Sequence, residues 1–282
     1  MNLFEINWRN FRKPRGTLYF LDKNVLQLIH TLQEDKQLSK PNEIEMQSRL
    51  KSIDKSTNMV SLMLSIIEGR RGRKETLVEK SQTIIEEINI LKGFFKHANT
   101  DIAFFEKRSE LSSDVLSRGY IESDEALYVS YLNIFFNLWG SYNENSSIPP
   151  KIRAEFTDKL IEYAKTINMQ PQYLVVILTI GAVYGKSEAL QILKPKDKNS
   201  HNAYADIAVI TRLGNHMVRF SETYNCDFLT MDKGLLACFK IIKITSVSLM
   251  VNKDEGETTK LEISIDKSFL PDHVLKKLNI KP

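Results

Sequence analysis

Cysteine is nearly absent. Cys226 and Cys238 are the only two in 282 residues, and they form no C-x-x-C pair. A disulfide framework and a cysteine-based zinc site are therefore not expected, and a reducing, cytoplasmic setting is. Eleven glycines and eight prolines leave no room for a collagen-like or low-complexity chain. The most apolar stretch, Tyr173 to Tyr184, is too short to span a bilayer and reads as a buried helix. The opening Met-Asn-Leu-Phe-Glu-Ile-Asn-Trp has no basic segment followed by an apolar one, so neither a signal peptide nor a membrane role is expected. Neither sign of charge prevails. With 39 basic and 35 acidic residues the formal charge is +4, which permits a polyanionic partner without requiring one.

What the chain does contain is a pair of aspartates in matching settings. Asp22 closes the apolar run Leu18-Tyr19-Phe20-Leu21 and precedes Asn24-Val25-Leu26; Asp232 follows Phe228-Leu229-Thr230-Met231 and precedes Gly234-Leu235-Leu236. Each is a short apolar stretch of strand length that ends in a carboxylate where a helix begins. In open α/β sheets, ligands bind at the carboxyl ends of parallel strands. Two acids brought there from distant parts of the chain point to a metal site.

The spacing predicts strand 17–21, then helices near 23–34, 43–53 and 57–68, the last presenting Val60, Met63, Leu64 and Ile67 on one face and stopping at Gly69. From 74 to 198 every long segment reads as helix: 74–97, 101–118, 122–140, 151–168 and 171–192. Helix 202–224, strand 227–231 and a short helix from 232 follow, with a strand near 241–244. The alternation in 246–251 and 260–265 about a turn at Asp254-Glu255-Gly256 predicts a hairpin.

Two further acids join the aspartates. Glu68 ends the apolar turn Ser65-Ile66-Ile67, and Asp206 lies among apolar or small neighbours in Asn202 through Ile210. An acid in such surroundings is costly to bury unless paired, hydrogen-bonded or metal-bound. Mg²⁺ and Mn²⁺ take oxygen ligands, and a pair of such ions stabilises both the attacking and the leaving oxygen of a phosphoryl displacement. Ordinary alternatives stand beside this reading. Asp22 and Asp232 could be helix N-caps, Glu68 a solvated helix end, and Asp206 the partner of Arg212 or another cation. Asn24 and Thr230 are candidates to support the carboxylates, with turn or cap roles as their alternatives.

These segments resemble those of PIN-domain nucleases. Leu21-Asp22-Lys23-Asn24-Val25-Leu26 is similar to the family's opening motif, an acid followed two residues later by Asn and then by apolar residues. Leu229-Thr230-Met231-Asp232 resembles its late Thr-x-Asp motif, Asp206 sits in what looks like the helix of its third acid, and Glu68 before Gly69 matches the second. Compact members have a short helical segment between the second and third acids, whereas here a long helical block intervenes.

The architecture so implied is α/β: a PIN-like three-layer core with a parallel sheet, built from 17–74 and 199–245. A large all-helical insertion at 75–198 interrupts it, a C-terminal β-hairpin and tail at 246–282 follow it, and a basic, aromatic arm at 1–16 precedes it. The resemblance implies a metal-dependent endonuclease in which Asp22, Glu68, Asp206 and Asp232 hold one or two Mg²⁺ or Mn²⁺ ions, with RNA favoured over DNA as the nucleic-acid partner. Stand-alone members are often toxins or anti-phage defence effectors, and the helical insertion would then face a regulatory protein or a second copy. The alternative is a catalytically weak PIN-like subunit for nucleic-acid binding or assembly. A haloacid-dehalogenase-like phosphatase is disfavoured because Asn24 stands where that chemistry needs a second aspartate.

Cations flank the expected site. Arg70, Arg71, Arg73 and Lys74 directly follow Glu68-Gly69, and Lys194, Lys196 and Lys198 lie upstream of Asp206. Charge runs are usually solvated faces, but these two are placed to meet phosphates. The arm interleaves Trp8 and Phe11 with Arg9, Arg12, Lys13 and Arg15, as a single-strand-binding segment would.

Overall fold

The computed structural model describes residues 16–69, 75–107, 122–142, 148–220, 223–252 and 256–280. The expected arm, almost all of it, and the basic run 70–74 lie outside them.

The chain begins with strand β1 (Gly16–Leu21), helix α1 (Lys23–Gln33) and helix α2 (Pro41–Ile53), then strand β2 (Met59–Ser61), helix α3 (Met63–Glu68) and helix α4 (Leu77–Leu91). Strand β3 (Asn99–Thr100) and helix α5 (Ile102–Lys107) precede a helical block. That block is α6 (Glu122–Tyr142), α7 (Pro150–Thr166), α8 (Leu174–Val183), α9 (Ser187–Leu193) and α10 (Ser200–Phe220). Strand β4 (Tyr224–Leu229) and helix α11 (Lys233–Ile241) return the chain to the sheet. Strands β5 (Ile242–Asn252) and β6 (Gly256–Ile265) form an antiparallel ribbon, and α12 (Asp272–Lys277) ends the described chain.

The fold is mixed α/β around a four-stranded parallel sheet in the order β3-β2-β1-β4. β1 has the near-continuous apolar run of a strand covered on both faces. Leu18 and Phe20 join one core cluster with helices α6 to α10, while Leu21 joins another with α1, α2, α4 and Val60. The strand order turns back at β1, with β2 and β3 on one side and β4 on the other. In open α/β sheets such a reversal, at the carboxyl ends of the strands, is where ligands bind.

Several boundaries differ from the sequence expectation. The helix expected at 57–68 divides into β2 and α3. Met59 and Val60 fit a helical face by spacing, but parallel pairing with Leu18 and Tyr19 makes them strand. The expected helix 171–192 breaks into α8 and α9, bent by 115°, where Gly185 takes φ 77. The block expected to be all-helical from residue 75 contains β3, which pairs with β2, so α4 belongs to the crossover between those strands. The strand near 241–244 and the alternation of 246–251 merge into β5, with a register shift between Ile244 and Ser246.

Every residue of α8 is buried. Among the described residues no single helix is long and apolar enough to cross a membrane.

Candidate active site

The ends of β1 and β4, which lead into Asp22 and Asp232, pair side by side at the reversal point of the sheet. The Asp22 amide donates to Leu229 O at 2.9 Å, which ties the end of β1 to the end of β4. Asp22 stands at the N-cap position of α1, yet its carboxylate makes no cap hydrogen bond. Instead Asp22 Oδ2 accepts from Asn24 Nδ2 and from the Thr230 hydroxyl. At 3 % exposure this carboxylate meets only neutral donors among the described residues. Asn24 Oδ1 accepts from Met231 N at 2.9 Å, and Thr230 Oγ1 accepts from Asp232 N at 3.0 Å. Asn24 and Thr230 therefore link the two strand ends through side chains.

Asp232 divides its carboxylate between two roles. Oδ1 caps α11, accepting from Gly234 N at 2.7 Å and Leu235 N at 3.0 Å. Oδ2 is left facing the Lys194 ammonium at 3.5 Å. Asp206, from the second turn of α10, reaches the same ammonium at 3.4 Å. Arg212 lies further along α10. Burial pulls its guanidinium below the ordinary value, opposed by Tyr204, Glu68 and Glu125. Partial burial also acts to lower the Lys194 ammonium, but Asp206 and Asp232 outweigh it and hold it above its ordinary value.

Lys194 stands at the C-cap of α9 in the left-handed region, with φ 44 and ψ 60. That conformation costs a non-glycine residue about 1–2 kcal/mol, and it persists only where the surroundings impose it. Lys194 also lines a shallow, solvent-open depression together with Glu68, Asp197, Asn199, Asn202 and Asp206. The structure thus places Glu68 and Asp206 on one depression, Asp206 and Asp232 on one ammonium, and Asp22 beside Thr230 and Asp232.

Glu68 is held by what clasps the end of α3. Lys23 Nζ donates to Gly69 O at 2.6 Å, and Lys80 Nζ donates to Ile66 O at 2.6 Å. Lys80 pairs with Glu75 at 2.5 Å, and Glu87 accepts from Ser65 Oγ at 2.6 Å and faces Lys23 at 3.6 Å. Burial outweighs these partners at Glu87 and pushes its carboxyl up to about 7. Gly69 takes φ 67 and ψ −153, and a Cβ there would meet Glu75 Oε2 at 2.3 Å and Lys80 Nζ at 2.7 Å. A glycine is required at this point.

Sequence reasoning missed Lys194 as the shared counter-ion, although a lysine just before Pro195 at a helix end was a usable signal. It also missed Asp101, the carboxylate after β3, which accepts from Ser61 Oγ at 2.6 Å and Leu62 N at 3.1 Å. Burial pushes Asp101 up to about 6. Asp197, Asn199 and Asn202 on the depression were likewise not singled out as site residues.

The expected basic contacts are distributed unevenly. Arg70, Arg71, Arg73 and Lys74 lie outside the described residues. Lys196 is exposed. Lys198 turns toward α6, where a side chain at Gly140 would meet its ammonium at 3.3 Å. His201 faces Glu125 at 3.6 Å. Burial pushes the thiols of Cys226 and Cys238 up to about 11 and 12.

Among the described residues no group of three His, Cys, Asp or Glu side chains is close enough to hold one metal ion. The acids at this junction offer carboxylate oxygens, the donor type a hard divalent cation takes, but they meet the Asn24 amide and the Lys194 ammonium as well. The ammonium of Lys194 lies between Asp206 and Asp232. No protein-family model, no curated protein and no solved structure matches the chain.

Proposed function

We propose that the chain is a Mg²⁺- or Mn²⁺-dependent endonuclease with a PIN-like core, cleaving RNA in preference to DNA. The observation that carries this reading is the junction at the β1/β4 reversal, where Thr230 Oγ1 joins the Asp22 carboxylate to the Asp232 backbone. Residues far apart in sequence supply carboxylates to the position where open α/β sheets bind ligands. A bound divalent ion would polarise the phosphodiester and offset the charge that develops on the leaving oxygen. Asp22, Asp232 Oδ2, Asp206 and Glu68 are the groups of this chain that would hold it. Asn24 and Thr230 fix the orientation of Asp22, which a ligand-holding carboxylate requires. Lys196 and the basic run 70–74 are assigned to the phosphate backbone.

A second reading has its own support. The absence of a three-acid group among the described residues, with Lys194 between Asp206 and Asp232, favours a PIN-like subunit that binds nucleic acid without cutting it. Fluorogenic RNA and DNA, titrated with Mg²⁺ and with Mn²⁺, separate the two. The nuclease reading expects metal-dependent cleavage, faster on RNA, that falls by about 100-fold or more in Asp206→Asn, on the scale of losing a principal transition-state contact. Equal inactivity of wild type and Asp206→Asn under both metals would leave only the binding reading.

A further inference from the structure

Four charged side chains, Lys23, Lys80, Glu75 and Glu87, gather around the end of α3. Glu87, from α4, is buried, and the elements packed on it bring Lys23 from α1, Ser65 from α3 and Lys80 from α4 itself, with Glu75 drawn in through Lys80. The Ser65 hydroxyl has one proton but two acceptors within reach, Leu62 O at 2.8 Å and Glu87 Oε2 at 2.6 Å. Each contact has its own proton only when Glu87 is protonated, donating to Ser65 Oγ while Ser65 donates to Leu62 O. The other oxygen, Glu87 Oε1, is buried without a hydrogen-bond donor among the described residues. It faces the Lys23 ammonium at 3.6 Å, too far for a hydrogen bond, while that ammonium lies 2.6 Å from Gly69 O. One ammonium thus stands between a backbone carbonyl that it holds and a carboxyl that it does not.

We infer that Glu87 and Lys23 form a proton-operated latch on α3: with Glu87 protonated the Lys23 ammonium holds the Gly69 carbonyl, and with Glu87 ionised the ammonium is drawn to Glu87 Oε1 and the end of α3 is released. The proton leaves Oε2 for solvent, and Ser65 turns its own proton from Leu62 O to Oε2. A carboxylate formed in a buried place needs a counter-charge. Lys80 is committed, since it donates to Ile66 O and pairs with Glu75. Lys23, whose side chain is 31 % exposed, is the cation with room to move. An ammonium bonds more strongly to a carboxylate than to a neutral carbonyl. Burial already raises the Glu87 carboxyl to about 7, so the latch turns over near neutral pH. Glu68, the residue before Gly69, lines the depression, and its position follows the latch. The latch does not depend on a metal being held there.

The test is carbon NMR of the full chain across neutral pH, reading the side-chain carboxyl of Glu87 and the backbone carbonyl of Gly69, whose shift reports its hydrogen bonding. Expected is one transition in both signals with a shared midpoint of about 7. In Glu87→Gln, which keeps the size of the side chain and cannot ionise, the Gly69 carbonyl stays at its low-pH position throughout. In Lys23→Met it stays at its high-pH position, and the Glu87 midpoint rises because a cation favouring the ionised form is gone. Wild type alone already reads the coupling should Lys23→Met fail to fold. A merely structural Glu87 would titrate without a response at Gly69, and that result overturns the latch. So does a Gly69 transition that persists in Glu87→Gln, the outcome if Asp101 at the other end of α3 drove it. A Glu87 carboxyl that does not titrate near neutral pH overturns it as well.

Discussion

The Thr230 hydroxyl donates to Asp22 Oδ2 across 208 residues of sequence. That hydroxyl oxygen, Thr230 Oγ1, in turn accepts from the backbone amide of Asp232 at 3.0 Å. One buried hydroxyl thus orients the acid at the end of β1 and anchors the chain that carries the acid after β4.

Replacing Thr230 by Val keeps the shape and removes the hydroxyl. The Asp22 carboxylate loses a donor and the Asp232 amide an acceptor, in a site only 3 % exposed. Thr230→Val is expected to lower stability by about 1–3 kcal/mol, while Thr230→Ser stays near wild type. Urea unfolding measures both, and equal midpoints for wild type and Thr230→Val would sink the linking role.

Asn24 reaches Asp22, Thr230 and Met231 without standing among the proposed ion-holding groups. Asn24→Ala is expected to reduce Mn²⁺ affinity or cleavage by about 10–100-fold, as losing the partner of a ligand does. Circular dichroism should show the fold intact. Wild-type metal affinity in this variant would count against the site as drawn.

The Glu87 carboxyl gives stability a pH dependence with a definite sign. Its ordinary value is 4.5, and in the folded protein burial raises it to about 7 against the pull of Ser65, Lys23 and Lys80. The folded state therefore holds this proton more tightly than the unfolded chain. The contribution is complete below pH 4.5 and is lost as pH rises through about 7. Glu87→Gln is expected to raise the melting temperature at pH 8 relative to wild type, with the gap closing toward pH 4.5. A gap that widens on acidification would show the sign to be wrong.

Gly69 closes α3 beside Glu68 in a conformation that only glycine adopts readily, with φ 67 and ψ −153. An added methyl would also collide with the Lys80–Glu75 pair. Gly69→Ala is expected to cost about 1–3 kcal/mol and to move Glu68 from the depression. Chemical denaturation and the cleavage assay read the two effects separately. A neutral substitution would mean that the clasp does not hold Glu68.

Much of the local organisation was legible because it has a period or a stop signal. The apolar run before Asp22 reads as a buried parallel strand, and the most apolar stretch does become a fully buried helix, α8. Glu68 before Gly69 does end a helix, and the positive φ of Gly69 is the reason. Short strands were not legible. β2 has three residues and β3 two, too few to display alternation, and their neighbours fit a helical face equally well. Pairing with β1 decided them.

The candidate site divides in the same way. Sequence alone determined which acids stand at element ends or among apolar neighbours, since burying a lone carboxylate is costly and the pattern around Asp22, Asp206 and Asp232 is local. That Lys194 meets Asp206 was decided only in three dimensions. The bend between α8 and α9 and the left-handed backbone at Lys194 set the lysine where it meets Asp206. Strand order is likewise a property of pairing between distant segments, and the meeting of Asp22 with Thr230 and Asp232 exists only because β4 adds beside β1. Local patterns record what a residue needs; long-range packing determines what supplies it.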